Sequence, residues 1–165
     1  MTEIQSIATP AGSVSAELVD FVVHEARLAD ENRYAEWESL WADDGIYWVP
    51  TGDQKDPQTQ VSFVFDNRHR IGSRIAQLRS GRRHSQTPPS KMRRQLSNFE
   101  VLSDDGGEVE LAANFSLFEH RYTTTIWAGR YLYRLRYTAD GLSLVKKTVL
   151  LINNESAIRT IAFIL

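Results

Sequence analysis

Apolar residues recur every three or four positions in three stretches of the chain, and this spacing predicts three helices. The first begins after Ser15, which is suited to cap a helix, and the second follows Asn32, another capping residue. The cluster 43–45 is expected to end the second helix, and the third spans 67–79 and stops at Gly81. The apolar positions are Leu18, Phe21, Val22, Ala26 and Ala29, then Tyr34, Trp37, Leu40 and Trp41, then Ile71, Ile75 and Leu78.

The spacing of apolar residues changes to two beyond Met92, which predicts strands with one buried face. Short strands are expected earlier, and Asp-Gly pairs mark hairpin turns. Helices followed by antiparallel strands predict an α+β fold, in which a curved antiparallel sheet wraps around the N-terminal helices as a cone. The predicted strands are 46–49, 61–65, 108–118, 124–137, 142–152 and 158–165, with turns at 104–107 and 140–141.

A chain of 165 residues, of which 42% are apolar, is long enough for one domain with a real core. We expect a flexible N-terminal arm over residues 1–14 and a single domain over 15–165. The N-terminus lacks the basic and apolar segments of a secretory signal, and no apolar run approaches the roughly 20 residues that span a bilayer. The sequence therefore predicts a soluble, cytoplasmic protein with no membrane partner.

Charge is distributed unevenly, although the net charge is only −2. Between residues 17 and 56 there are eleven acids and three bases, whereas residues 67–94 hold nine bases and no acid. A basic run of this kind can contact nucleic acid, but no nucleic-acid-binding motif accompanies it. We therefore expect the acidic and basic regions to pair with each other or across subunits, and we expect no nucleic-acid partner.

The chain has no cysteine, which excludes disulfides, zinc–thiolate sites, thiol nucleophiles and Rieske clusters within it. A mononuclear iron site needs two histidines and a carboxylate arranged on one face. His24, His69, His84 and His120 lie on different predicted elements, without the spacing of a ligand pair. We therefore expect no metal and no cofactor in this chain.

A cone of this type can also house a cofactor-free dehydratase or isomerase, which needs a base near a polarising acid. The candidates are Asp30, Asp44, Tyr47 and His84. Each has a simpler interpretation: the two aspartates as turn or cap residues, the tyrosine as a half-buried strand residue, and the histidine as a hydrogen-bonded loop residue. The stand-alone enzyme is kept as an alternative.

Glu25 falls on the apolar stripe of the first helix, where an unpaired carboxylate would cost several kcal/mol. It is therefore expected to be either an acid in a cavity or one half of a buried ion pair. The basic stretch supplies partners, and we favour a pair with Arg68 or Arg94.

Several segments, in this order, resemble the small (β) subunits of aromatic-ring-hydroxylating dioxygenases of the Rieske type. The resemblance runs from about Val14 to the C-terminus, and it implies the fold of the nuclear transport factor 2-like (cystatin-like) superfamily. No one motif is diagnostic, and the ordered set carries the resemblance. The segments are 25–30, 34–37, 41–50, 82–84, 94–101 and 147–154, together with Arg68.

The resemblance also implies partners and a role. In this family the α subunit carries a Rieske iron–sulfur cluster and a mononuclear iron, and three α subunits assemble with three β subunits. The complex adds dioxygen to an aromatic compound, using electrons from NADH, in aromatic catabolism. The β subunit is usually described as structural and sometimes as influencing substrate choice, and the resemblance implies that this chain has no catalytic residues.

A β trimer requires a sheet face or edge to be covered, and the sequence offers candidates for that surface. Arg130, Arg134 and Arg136 share one face of a predicted strand, and arginine is enriched at interfaces. Trp48 and Pro50 are candidates for contact with the α subunit. The alternatives are a solvated face for the arginines and a core position for Trp48 and Pro50.

Overall fold

A computed structural model describes residues 14–81 and 87–165. These residues form three helices and a long, curved sheet; two helices come first, and the third lies between the first two strands and the last four. The helices are α1 (Ala16–Asp30), α2 (Tyr34–Ser39) and α3 (Arg68–Ser80). The strands are β1 (Trp41–Val49), β2 (Val64–Asn67), β3 (Lys91–Asp104), β4 (Glu108–His120), β5 (Thr124–Thr138) and β6 (Gly141–Leu151).

The N-terminal ends of the two longer helices and the C-terminal end of α3 follow the capping rules. The Ser15 hydroxyl accepts a hydrogen bond from the Leu18 amide at 3.5 Å, and the Asn67 side chain accepts one from the Arg70 amide at 3.0 Å. Gly81 ends α3 in the left-handed conformation, with φ of 61°. The predicted starts of α1 and α3 are confirmed to within a residue.

The junction between α2 and β1 differs from the prediction. Asn32 does not cap α2; it takes φ of 56°, and Arg33 occupies the N-cap position, where its side chain makes no capping hydrogen bond to the helix backbone. The predicted end of α2 at 43–45 was also wrong, because β1 already begins at Trp41. The Leu144 amide donates to the Leu40 carbonyl at 2.8 Å, so pairing with β6 starts where the helix ends.

The six strands of the described residues lie in the order β2-β1-β6-β5-β4-β3. The predicted antiparallel pairing is confirmed for β3 to β6, whereas β1 and β6 run parallel. The helices and one face of the sheet enclose the hydrophobic core. We call this the inner face, and the face that points away from the helices the outer face.

The strand predicted over 158–165 was wrong. This segment is irregular, although Ile164 and Leu165 are fully buried. Side chains satisfy its backbone instead of a neighbouring strand: Arg94 donates to the Ile164 carbonyl at 2.8 Å, and the Leu165 amide donates to the Tyr47 hydroxyl at 3.1 Å. The segment thereby fills the interior of the cone.

Two expectations fall outside the described residues. Of the arm predicted over residues 1–14, only Val14 is described. His84 also lies outside the described residues. In the described part of the chain, no helix has the length and apolar character to cross a bilayer.

Candidate functional site

A buried ion pair lies at the centre of the inner face. The Lys147 ammonium is 2.8 Å from a carboxylate oxygen of Glu25, and both side chains have no exposed surface. The Trp37 indole donates to the same carboxylate at 2.6 Å, and the Tyr133 hydroxyl donates to its second oxygen at 3.2 Å. Glu25 is therefore fully satisfied within the chain, as a buried carboxylate must be.

The predicted partners of Glu25 were wrong. Arg68 instead pairs with Glu38 at 3.0 Å, because α3 places it against α2. Arg94 pairs with Asp30. The partner is Lys147, which the alternation of β6 directs inward together with Val149 and Leu151.

The surroundings of Lys147 hold its ammonium without water. It lies 4.3 Å from the centre of the Tyr131 ring, in a cation–π contact. Burial lowers the pKa of Lys147 to about 8, against the opposing effect of the Glu25 charge. The protonated form persists at neutral pH because the carboxylate and the rings replace its hydration.

A second buried pair lies beside the first. The Arg94 guanidinium is 2.7 Å from an Asp30 carboxylate oxygen, and the Arg94 amide donates to the other oxygen at 2.8 Å. The guanidinium also donates to the Tyr131 hydroxyl at 2.9 Å and to the Ile164 carbonyl at 2.8 Å. Arg94 thus joins α1, two strands and the C-terminal segment, which gives the pair a structural role.

Three of the four candidate residues of a stand-alone enzyme are described by the structure, and each is held by different partners. Asp30 is held by Arg94, and Asp44 lies on the surface, paired with Arg136. Tyr47 packs edge-on against two tryptophans of the core, and burial raises its pKa to about 12. Tyr47 is therefore a protonated core residue at neutral pH. His84 lies outside the described residues.

The donor set of the described residues does not fit an iron site. Over residues 14–81 and 87–165, no three His, Asp or Glu side chains are grouped closely enough to hold a metal ion. His24 contacts Arg27 on α1, and His120 contacts Thr124 at the hairpin between β4 and β5. The absence of cysteine from the whole sequence removes the thiolate ligands of a Rieske cluster.

The outer face carries a ladder of exposed ion pairs. Arg130, Arg134 and Arg136 project from β5 and are between 37% and 44% exposed. Each is paired within the chain, and Arg136 is held by two carboxylates. The partners are Glu100 for Arg130, Glu110 at 2.9 Å for Arg134, and Asp44 at 2.8 Å and Glu108 at 2.7 Å for Arg136.

Trp48 and Pro50 are buried by the chain itself. The Trp48 indole donates to the Ser62 hydroxyl at 3.0 Å, and its ring faces the Lys146 ammonium at 5.0 Å. Only 8% of Trp48 is exposed. Ser62, in the loop after β1, contacts Trp48, and Pro50 is also buried, so neither residue is exposed on the surface of the single chain.

Solved structures show that the chain has the nuclear transport factor 2-like (cystatin-like) fold. The chain is similar to a nuclear transport factor 2-like protein with a cystatin-like fold from Novosphingobium aromaticivorans, with a TM-score of 0.54, 19% identity, and 83% and 80% of the two chains covered. It is more similar to the β subunit of benzoate 1,2-dioxygenase from Burkholderia mallei, with a TM-score of 0.75, 24% identity, and 86% and 92% covered.

The sequence comparisons give the family. Residues 24–157 match the model of the ring hydroxylating beta subunit family, and the chain therefore belongs to that family. The 2-halobenzoate 1,2-dioxygenase small subunit of Burkholderia cepacia is 28% identical over 145 residues, which are 84% of this chain and 88% of that protein. The benzoate 1,2-dioxygenase subunit beta of Acinetobacter baylyi is 24% identical over 145 residues, with 84% and 86% covered.

Sequence reasoning missed Lys147 as the partner of Glu25. A signal was available, because Lys147 precedes Val149 and Leu151 at the two-residue spacing of a buried strand face. The neighbouring Lys146 obscured it, since two consecutive lysines show no alternation. The register of β6 on β5, which pairs Lys147 with Tyr133, decides which lysine points inward.

Proposed function

We propose that this chain is the non-catalytic β subunit of a multicomponent dioxygenase that adds dioxygen to an aromatic compound. Its partner is an α subunit that holds the Rieske cluster and the mononuclear iron, and three α subunits assemble with three β subunits. The chain supplies shape and surface to the complex, and NADH-derived electrons reach only the α subunit. Family membership supports this role.

One observation supports the absence of chemistry in this chain: the charged groups of the inner face are paired with one another. Glu25 is bound by Lys147, and Asp30 by Arg94, at 2.8 Å and 2.7 Å. A general base must reach a substrate proton, but these carboxylates contact protein donors and are 0% and 5% exposed. Their role is to fix the helices on the sheet.

The outer face is the surface that we propose for assembly. Arg130, Arg134 and Arg136 lie there, and arginine at a partly hydrated interface can retain its ion pairs while its stem packs on a partner. Apolar side chains of the same face lie exposed beside them, including Ile126 at 63% and Ile152 at 81%. Exposed apolar residues in a group indicate a protein-binding surface.

Co-expression with a dioxygenase large subunit from the same genome tests this proposal. We expect the two chains to co-purify and native mass spectrometry to give a complex of three copies of each. Metal analysis of the complex is expected to find iron, whereas this chain purified alone binds none. Two results would overturn the proposal: iron-dependent oxidation of an aromatic acid by the chain alone, or a chain that stays monomeric and does not bind the large subunit.

A further inference from the structure

The centre of the outer face contains a small pit. Its volume is about 110 Å³, which suits one aliphatic side chain. Leu102 of β3 and Leu132 of β5 provide the apolar part of its lining, and Thr148 of β6 lies beside them. The charged residues at the pit are Glu110, Arg134 and Lys146.

An exposed apolar patch lies on the same face, at the end formed by the hairpin between β4 and β5. Phe118 and Ile126 are directly opposite each other in the two strands and are 40% and 63% exposed. Ile152 is 81% exposed, and its amide donates to the Ala128 carbonyl at 3.1 Å, which places it beside them. We call these three residues the hairpin patch.

The patch and the pit of one chain cannot meet each other. Ile126 and Leu132 lie in the same strand, six residues apart, and therefore roughly 20 Å from each other. A contact between them requires two copies of the chain. Such a contact joins different surfaces of the two partners, and it closes into a ring when the rotation between copies allows it.

We infer that the hairpin patch of one copy packs into the pit of the next copy around a ring of three β subunits. This inference rests on the proposed function and specifies which parts of the outer face touch. It assigns the occupant of the pit to a second copy of this chain, because the chain itself presents the complementary apolar group on the same face.

The charges around the pit are compatible with a neutral apolar occupant. Glu110 and Arg134 neutralise each other at 2.9 Å, and the Lys146 ammonium faces the Trp48 ring. Burial and the nearby charge of Arg134 lower the pKa of Lys146. Covering the pit with the uncharged hairpin patch therefore leaves Glu110 and Arg134 paired with each other and Lys146 in contact with the Trp48 ring, and these charged groups form a polar rim around the apolar centre.

The absence of cysteine from the chain permits a clean cross-linking test. The double variant Ile126→Cys/Leu132→Cys is co-expressed with the large subunit and treated with a short bismaleimide that cannot span the distance within one chain. We expect cross-linked dimers and trimers of this chain on a denaturing gel. Ile126→Cys alone and Leu132→Cys alone are each expected to give no cross-linked product. When these two single variants are mixed, and one of them is enlarged by a tag, only the dimer of one tagged and one untagged chain is expected.

Control variants separate contact from random collision. The control is Val61→Cys/Leu132→Cys. Val61 is 88% exposed and belongs neither to the hairpin patch nor to the pit, so we expect this variant to give no cross-linked product between chains. If Leu132→Cys prevents folding, as a thermal melt would reveal, Leu102→Cys replaces it in the pit. Cross-links formed by either single variant alone, or links from Ile126→Cys to the large subunit, would overturn the inference.

The native mass of the wild-type complex distinguishes this inference from the proposed function. A complex of three copies of each chain without the predicted cross-link contradicts the contact and leaves the proposed function intact. Failure of the two chains to associate contradicts the proposed function. Cross-linking of this chain alone then still decides whether the hairpin patch meets the pit.

Discussion

The two faces of the sheet carry similar charged residues and use them in opposite ways. On the inner face, Lys147 and Glu25 are wholly buried, and aromatic donors complete their contacts. On the outer face, Arg136 donates four hydrogen bonds to two carboxylates yet remains 37% exposed. The difference lies in hydration, because a buried charge depends on its partner whereas an exposed charge can exchange its partner for water.

This contrast identifies which residues belong to the fold and which are available to a partner. Removing one member of an inner pair leaves a charge without water, so the chain itself requires both members. Breaking an outer pair costs the isolated chain little, since such pairs contribute about 0–1 kcal/mol. We therefore expect the outer arginines to matter more for assembly than for the stability of the isolated chain.

The largest effect is expected from the matched pair of neighbouring lysines. Lys147→Met leaves Glu25 buried without its cation and should lower the free energy of unfolding by about 3–5 kcal/mol. Lys146→Met, on the outer face, should lower it by less than about 1 kcal/mol. Urea denaturation of both variants measures the difference, and equal midpoints would contradict the assignment of the two faces.

Gly129 and Ala128 make a second matched pair in β5. A Cβ atom on Gly129 would lie 2.0 Å from the Leu150 carbonyl oxygen, so the backbone of β6 would have to move. Gly129→Ala should therefore destabilise the chain by about 2–3 kcal/mol. Ala128→Gly, on the outer face, should cost about 1 kcal/mol or less. The two melting temperatures decide, and a Gly129→Ala variant as stable as wild type would refute the close approach.

The sequence predicted most of the elements because their signals are local. Ser15, Gly81 and the alternation of β4 and β5 each act through neighbours along the chain. The start of β1 and the irregular course of the last residues depend on partners far away in sequence, such as Leu144 for Leu40 and Arg94 for Ile164. The predicted partner of Glu25 was wrong for the same reason, because strand register selects Lys147.

A smaller effect is expected from pH. The pKa of Lys147 is about 8 in the folded chain and about 10.4 when unfolded, so the unfolded chain holds more protons between these values. Stability contributed by this group therefore rises with pH in that window. Between pH 8 and 9.5, the free energy of unfolding of the wild type should rise by about 1–2 kcal/mol relative to that of Glu25→Gln/Lys147→Met.

The pH window stops at 9.5 because tyrosines begin to ionise in the unfolded chain near pH 10. Burial raises the pKa of Tyr47 to about 12, so its contribution to stability is lost as pH rises from about 10 towards 12. Urea midpoints at three pH values measure the difference between wild type and the double variant. Parallel pH profiles would contradict a perturbed, buried Lys147.

The smallest effect on the isolated chain is expected on the outer face. The triple variant Arg130→Ala/Arg134→Ala/Arg136→Ala should barely change the urea midpoint of the isolated chain, because all three pairs are exposed and water replaces the lost contacts. Assembly with the large subunit should fall at least tenfold, whereas Arg33→Ala, which removes an exposed pair on α2, should leave it unchanged. A triple variant that assembles normally would exclude the outer arginines from the interface.

The most direct test of the central claim is the turnover of a complex whose inner ion pair has been replaced. Glu25→Gln/Lys147→Met is assembled with the wild-type large subunit, its native mass is confirmed, and oxidation of an aromatic acid accepted by the wild-type complex is measured per iron. A β subunit that contributes only shape and surface predicts turnover within about twofold of wild type. A fully assembled, iron-loaded complex with turnover reduced tenfold or more would show that the interior of this chain takes part in the chemistry.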